Sequence, residues 1–137
     1  MLMDYNAQFS DNQSLVKTAT GTTVSTNVID TEYADSNLGA GTPIWIVCKV
    51  HTAVTCNGLS VNFEDCATSG GTFVVRYVSE AYSTGAVDAA GDDLMVIPMP
   101  TEHQRYVRLQ YNLLATIGAG TADAYLTTNA PRTVKTK

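Results

Sequence analysis

Charge is scarce in this sequence. Asp, Glu, Lys and Arg supply 15% of its 137 residues, where a typical soluble domain carries roughly a quarter. Thr, Ser, Ala, Gly and Asn take their place, which suits strands and turns and leaves few strong helix formers. Positive charge is scarcer still: eight Lys and Arg against thirteen Asp and Glu give a net charge of -5 and a pI of about 4.7. That balance argues against a free-standing nucleic-acid binder, which is usually basic. Cysteine is limited to Cys48, Cys56 and Cys66, and histidine to His51 and His103. No Cys-x-x-Cys pair occurs and the histidines keep no ligand rhythm with the thiols. The expectation is therefore reduced, mostly buried thiols, with no metal and no cofactor. Long apolar runs are missing, so no stretch has the length needed to span a bilayer. Met1-Leu2-Met3 is followed at once by Asp4 and Asn6, without the apolar segment of a leader peptide. The expectation is a chain made and used without export.

What is present is alternation. Val107, Leu109, Tyr111 and Leu113 fall on one side of the segment 104–114, and Tyr106, Arg108, Gln110 and Asn112 on the other. Side chains alternate across a strand, so this segment has a buried face and a wetter one. Pro43 opens a second strand, in which Ile44, Ile46, Cys48 and Val50 form a core face, with Trp45 and Val47 opposite them beside Lys49 and His51. Asn57-Gly58 is the residue pair favoured in a two-residue hairpin turn, and Leu59, Val61 and Phe63 point inward after it. Residues 72–82 read as a long strand with Phe73, Val75 and Tyr77 inward and Arg76 and Glu80 outward. Residues 23–30, 94–98 and 121–128 complete the pattern, with Pro98 and Pro100 restricting the fifth strand to an edge or an end.

About seven or eight strands with Gly-rich turns and no convincing helix imply an all-β fold. The first choice is an antiparallel β-sandwich of jelly-roll type with about eight strands, and an immunoglobulin-like sandwich is second. The chain has the length of a single domain, enough to bury roughly two-thirds of its unfolded surface. Three parts are expected: an extended N-terminal arm over residues 1–22, a sandwich over 23–130, and a basic tail over 131–137.

Catalytic signals are thin. His51 and His103 are isolated and read as surface residues, and no nucleophile-elbow pattern occurs. Asp88, Asp92 and Asp93 share a loop with Gly91 but lack the Asp-x-Asp-x-Asp-Gly order of a calcium loop. Gly118-Ala119-Gly120 lies between strands, so no helix N-terminus is there to hold a phosphate. Tyr106 and Arg108 could stack on bases, but Tyr111 faces the other way and the chain is acidic. The residues by themselves define an all-β domain and not its task.

Several runs resemble one family. They are Phe9-Ser10-Asp11-Asn12-Gln13, Ser25-Thr26-Asn27-Val28-Ile29-Asp30, residues 39–50 (Gly-Ala-Gly-Thr-Pro-Ile-Trp-Ile-Val-Cys-Lys-Val), residues 105–111 (Arg-Tyr-Val-Arg-Leu-Gln-Tyr) and residues 120–128 (Gly-Thr-Ala-Asp-Ala-Tyr-Leu-Thr-Thr). In order and spacing, over about residues 5–130, they resemble the capsid cement, or decoration, proteins of tailed bacteriophages. The departures fall in residues 83–93 and 98–100. The resemblance implies a non-enzymatic jelly-roll protein on the outer surface of an icosahedral shell, made in the host bacterial cytoplasm. It would bridge neighbouring major capsid subunits and act as a homo-oligomer, a dimer before a trimer, with no direct contact to nucleic acid or membrane. Tyr5, Phe9, Trp45, Tyr106, Arg108 and Arg132 are the candidate oligomer or capsid contacts. A carbohydrate-binding sandwich displayed on a virion is the alternative, with Trp45, Tyr33 and Tyr82 as its platform. A small hydrolase, using His51 or His103 beside a carboxylate, is the third reading.

Overall fold

Strands form here because β-branched and aromatic residues alternate with polar ones between Gly-, Asn- and Pro-containing turns. The computed structural model describes residues 7–34, 41, 43–55, 58–82 and 89–129. Those residues contain no α-helix and build nine strands: β1 (Gln8–Ser14), β2 (Gly21–Val24), β3 (Ile29–Asp30), β4 (Trp45–Thr55), β5 (Leu59–Cys66), β6 (Val74–Val78), β7 (Asp93–Pro98), β8 (Tyr106–Leu113) and β9 (Ala119–Thr127). The first sheet has the order β1-β9-β4-β7 and the second β2-β8-β5-β6, with β3 also on β8, and every pairing is antiparallel. β2 and β3 pair with successive parts of β8, Val24 opposite Gln110 and Ile29 opposite Val107. They act as one interrupted strand, which leaves eight strands in a jelly roll, as expected.

The core lies between the sheets. From the second sheet, Leu59, Val61, Phe63, Val107, Leu109, Tyr111 and Leu113 are all exposed by 1% or less. Ile46, Cys48, Val50, Leu94, Met95, Ala122 and Ala124 meet them from the first sheet. Full burial of one such large apolar side chain is worth about 1.5–3 kcal/mol. Burial also pushes the Cys48 thiol up to about 12, which keeps it protonated. Cys48 and Cys66 are free and buried, and Cys56 lies outside the described residues.

Hydrogen bonds join the two sheets as well. The buried Tyr111 hydroxyl donates to Ser10 Oγ at 2.8 Å, and Ser10 donates to Gln13 Oε1 at 2.6 Å. Gln13 Oε1 also accepts the Thr26 N–H, and Gln13 Nε2 donates to the Val24 carbonyl. The break between β2 and β3 thus has a cause. Ser25 binds β8 through Leu109, whereas Asn27 turns to β1 and donates to the carbonyls of Phe9 and Gln8.

Three expectations are corrected. Residues 8–14 are not an arm: they form β1 inside the first sheet, and Phe9 is fully buried, so it anchors the core and offers no outer contact. β4 and β5 do not form the hairpin expected at Asn57-Gly58: they belong to opposite sheets, and Asn57 itself lies outside the described residues. Gly58 is required there by space, since a Cβ would stand 2.7 Å from Leu114 Cβ. Residues 72–82 yield only β6, and its Val75 and Tyr77 are exposed by 43% and 42% where a core face was expected.

Candidate functional site

The outer face of the second sheet follows directly from its register. Opposite residues of an antiparallel pair share a face. With the inner positions taken by the core, the outer row pairs Ser60 with Asn112, Asn62 with Gln110, Glu64 with Arg108 and Cys66 with Tyr106. β2 adds Thr22 beside Asn112 and Val24 beside Gln110, and β6 adds Val78 beside Asn62 and Val75 beside Glu64. A line across the face therefore reads Val24, Gln110, Asn62, Val78, apolar at both rims and uncharged between. Val24, Val75 and Val78 are exposed by 41%, 43% and 54%.

The middle of this face is drier than an outer face usually is. Ser60, Asn62 and Glu64 are buried although they point away from the core. Arg108 Nε donates to Glu64 Oε2 at 2.7 Å, and the Phe73 ring lies over the guanidinium with 3.9 Å from Cζ to the ring centre. Phe73, expected inside, thus caps an ion pair on the outside. Desolvating this pair raises the electrostatic value of its hydrogen bond and also the penalty for breaking it. Arg108→Ala, which the alternation alone marks as a harmless surface change, would strand a buried carboxylate. Next to the pair, Asn62 Nδ2 donates to Gln110 Oε1 at 3.2 Å, and Asn62 Oδ1 is buried with no partner.

Below this line, the Arg105 guanidinium grips Asp30 with two hydrogen bonds of 2.7 and 2.8 Å and lies 5.1 Å from the Tyr106 ring centre. The Arg105 contact holds the Asp30 carboxyl below its usual value and pushes the guanidinium higher still.

The other candidates are separated from this face. Trp45 is half-buried on the outer face of the first sheet, opposite Pro98 and Thr127, and Val47 next to it is covered between Val96 and Tyr125. Further along that face Lys49 meets Asp93 at 3.3 Å and His51 Nδ1 meets Asp123 Oδ2 at 2.6 Å. Asp123 also accepts the Asn12 N–H. His103, expected at the surface, is exposed by only 2%, and its Nδ1 lies 2.8 Å from the Gln104 carbonyl. Tyr82 packs against the core and donates its hydroxyl to the Leu94 carbonyl, so it leaves the aromatic platform proposed for a glycan. Tyr33 remains exposed after β3. Tyr5, Arg132 and the tail 131–137 lie outside the described residues. Among the described residues, no three His, Cys, Asp or Glu side chains are grouped to hold a metal ion.

Alternation alone located Tyr106 and Arg108 on the outward row of β8, and Asn62 and Glu64 on that of β5, but missed that Asn62 and Glu64 are buried there. The signal that could have found them is the polar outward row of β5 in register with that of β8. The family model for Bbp16, a phage-related family, matches residues 9–126 of the chain. No curated protein matches it.

Proposed function

The chain belongs to the Bbp16 family, and from that premise we propose that it is a capsid cement protein of a bacteriophage. It binds the outer surface of the icosahedral shell, bridges neighbouring major capsid subunits without covalent chemistry, and works as a homo-oligomer. The observation that supports this most is the outer face of the second sheet. Its charges are neutralised in place, its centre is polar and largely dry, its rims are valine, and one buried amide end lacks a partner. Such a face loses little hydration on contact, because Arg108 and Glu64 have already exchanged water for each other. The shell supplies a repeating surface on which many modest contacts add up.

Co-sedimentation with expanded phage shells that lack the protein tests this. Saturable binding is the expected result, and a wild-type chain that stays in the supernatant at every concentration overturns the reading. Val24→Glu, on the face, should weaken binding by about tenfold. Val16→Glu, at a valine exposed by 52% in the connection between β1 and β2, should leave it unchanged. Equal binding by Val24→Glu and wild type would move the contact to another surface.

A further inference from the structure

A two-sheet sandwich has four edges, and three of them in this protein are blunted. β1 breaks register twice along β9, with Asn12 in the left-handed region at φ 47°. β7 ends in Pro98 and carries a bulge opposite Cys48 and Lys49. The β2/β3 edge is interrupted at residues 25–28, where the chain crosses to β1. Breaks, bulges and proline are the devices by which sheets avoid pairing with other chains. β6 is blunted least. It carries one bulge, at Arg76, but it pairs only with β5, contains no Lys, Pro or Gly, and exposes all five of its residues. Four of them are Val74, Val75, Tyr77 and Val78, exposed by 42–54%. An edge strand normally buries one face; this one leaves the residues of both faces exposed. Its one charge, Arg76, is drawn aside to the buried Asp65 carboxylate at 2.9 Å.

We infer that β6 is a strand-pairing edge whose occupant is β6 of a second copy, so that two second sheets join into one continuous sheet across a two-fold axis. The sequence of the strand favours a copy of itself over a foreign strand. Its single irregularity, between the Phe63–Tyr77 and Glu64–Val75 pairs, puts Val75 and Val78 on the same outer face. A two-fold antiparallel register that keeps faces matched sets Val75 opposite Val78 of the second copy, twice over. It sets Tyr77 opposite Arg76 and keeps the two arginines from facing each other. An isologous contact needs this self-complementarity, and a contact with an unrelated chain does not. The joined unit presents two copies of the Asn62–Arg108 face side by side, which is the geometry for bridging two shell subunits. The pairing is read from the edge itself; its use in bridging rests on the capsid reading above.

The test measures mass in solution against concentration for wild type and for V75K/V78K, together with shell binding by both. A wild-type dimer whose dissociation constant rises at least about tenfold in V75K/V78K supports the pairing. A wild type that stays monomeric at its highest soluble concentration overturns it, and so does a dimer that the substitutions leave intact. Shell binding lost by V75K/V78K while wild type is monomeric also overturns the pairing, because both valines lie on the face proposed to meet the shell. Loss of shell binding by the wild type itself would instead overturn the cement function and leave the pairing standing. If circular dichroism shows V75K/V78K unfolded, hydrogen exchange on wild type decides. Protection of the 74–78 amides must increase with protein concentration, and protection that does not change overturns the pairing.

Discussion

The outer faces of the two sheets use similar side chains to opposite effect. On the first sheet, His51 meets Asp123 and Lys49 meets Asp93, with the basic side chains exposed by 44% and 36% and the carboxylates by 24% and 10%. On the second, Arg108 and Glu64 are exposed by only 22% and 4%, and an aromatic ring lies over Arg108. The difference is made by covering side chains. Phe73 lies over the Arg108 guanidinium on the second sheet, whereas on the first sheet the basic partners His51 and Lys49 stand in solvent above less exposed carboxylates. Exposed ion pairs contribute little, and desolvated ones are costly to break. The two faces therefore divide the molecule into a side that tolerates change and a side that does not.

Substitutions can break or sharpen that division. The largest effect belongs to the core on which both faces rest: Leu109→Ala should lower stability by about 2–5 kcal/mol in urea unfolding. A loss under about 1 kcal/mol would mean that the face of β8 has been misassigned. Arg108→Ala should follow at about 2–4 kcal/mol, because it leaves Glu64 buried and unpaired. The double change Arg108→Gln with Glu64→Gln should recover part of that loss, and a simple sum of the two would show that the pair is not coupled. Phe73→Ala should lower stability by about 1 kcal/mol through the lost ring contact. It should also make the Arg108–Glu64 pair sensitive to salt, as a covered pair is not. His51→Ala on the wet face should stay within about 1 kcal/mol. A larger loss than that of Arg108→Ala would reverse the comparison.

The smallest effect is acidic. The Arg105 contact lowers the folded-state value of Asp30 below 3.8, so the contribution of this pair is present above 3.8. It is lost as pH falls through the lower folded value. Asp30→Asn should flatten that part of an acid-unfolding curve and slightly lower stability at neutral pH, where the contribution of the pair is fully present.

Strand β8 was legible because its period of two is unbroken and one face is wholly apolar. The hydrophobic face of β4 was legible for the same reason. β1 was not, because Gln8-Phe9-Ser10-Asp11-Asn12-Gln13 has no alternation: it bends twice along β9 and hides Ser10 by hydrogen bonding it to Tyr111. Asn57-Gly58 carried the local chemistry of a tight turn, but only the pairing of distant strands decides whether two neighbours in sequence share a sheet. β6 misled most. Val75 and Tyr77 are the residues that a core strand would have, but a bulge at Arg76 turns Val75 to the outer face while Tyr77, on the inner face, stays exposed. On the candidate face, Tyr106 and Arg108 could be located by alternation, but the state of Arg108 could not. That state depends on Phe73, which arrives from another strand connection.

β1 and β9 lie side by side, Gln8 opposite Tyr125 and Ser14 opposite Thr121. Among the described strands, the first in sequence therefore has no neighbour in its sheet until the last is available, and Phe9 waits for a core that is not yet closed. Folding is dominated by distant pairings, and such topologies fold slowly. Truncation just before β9 should give no partial sandwich, since the same cut removes the described partner of β1 and one of the two partners of β4.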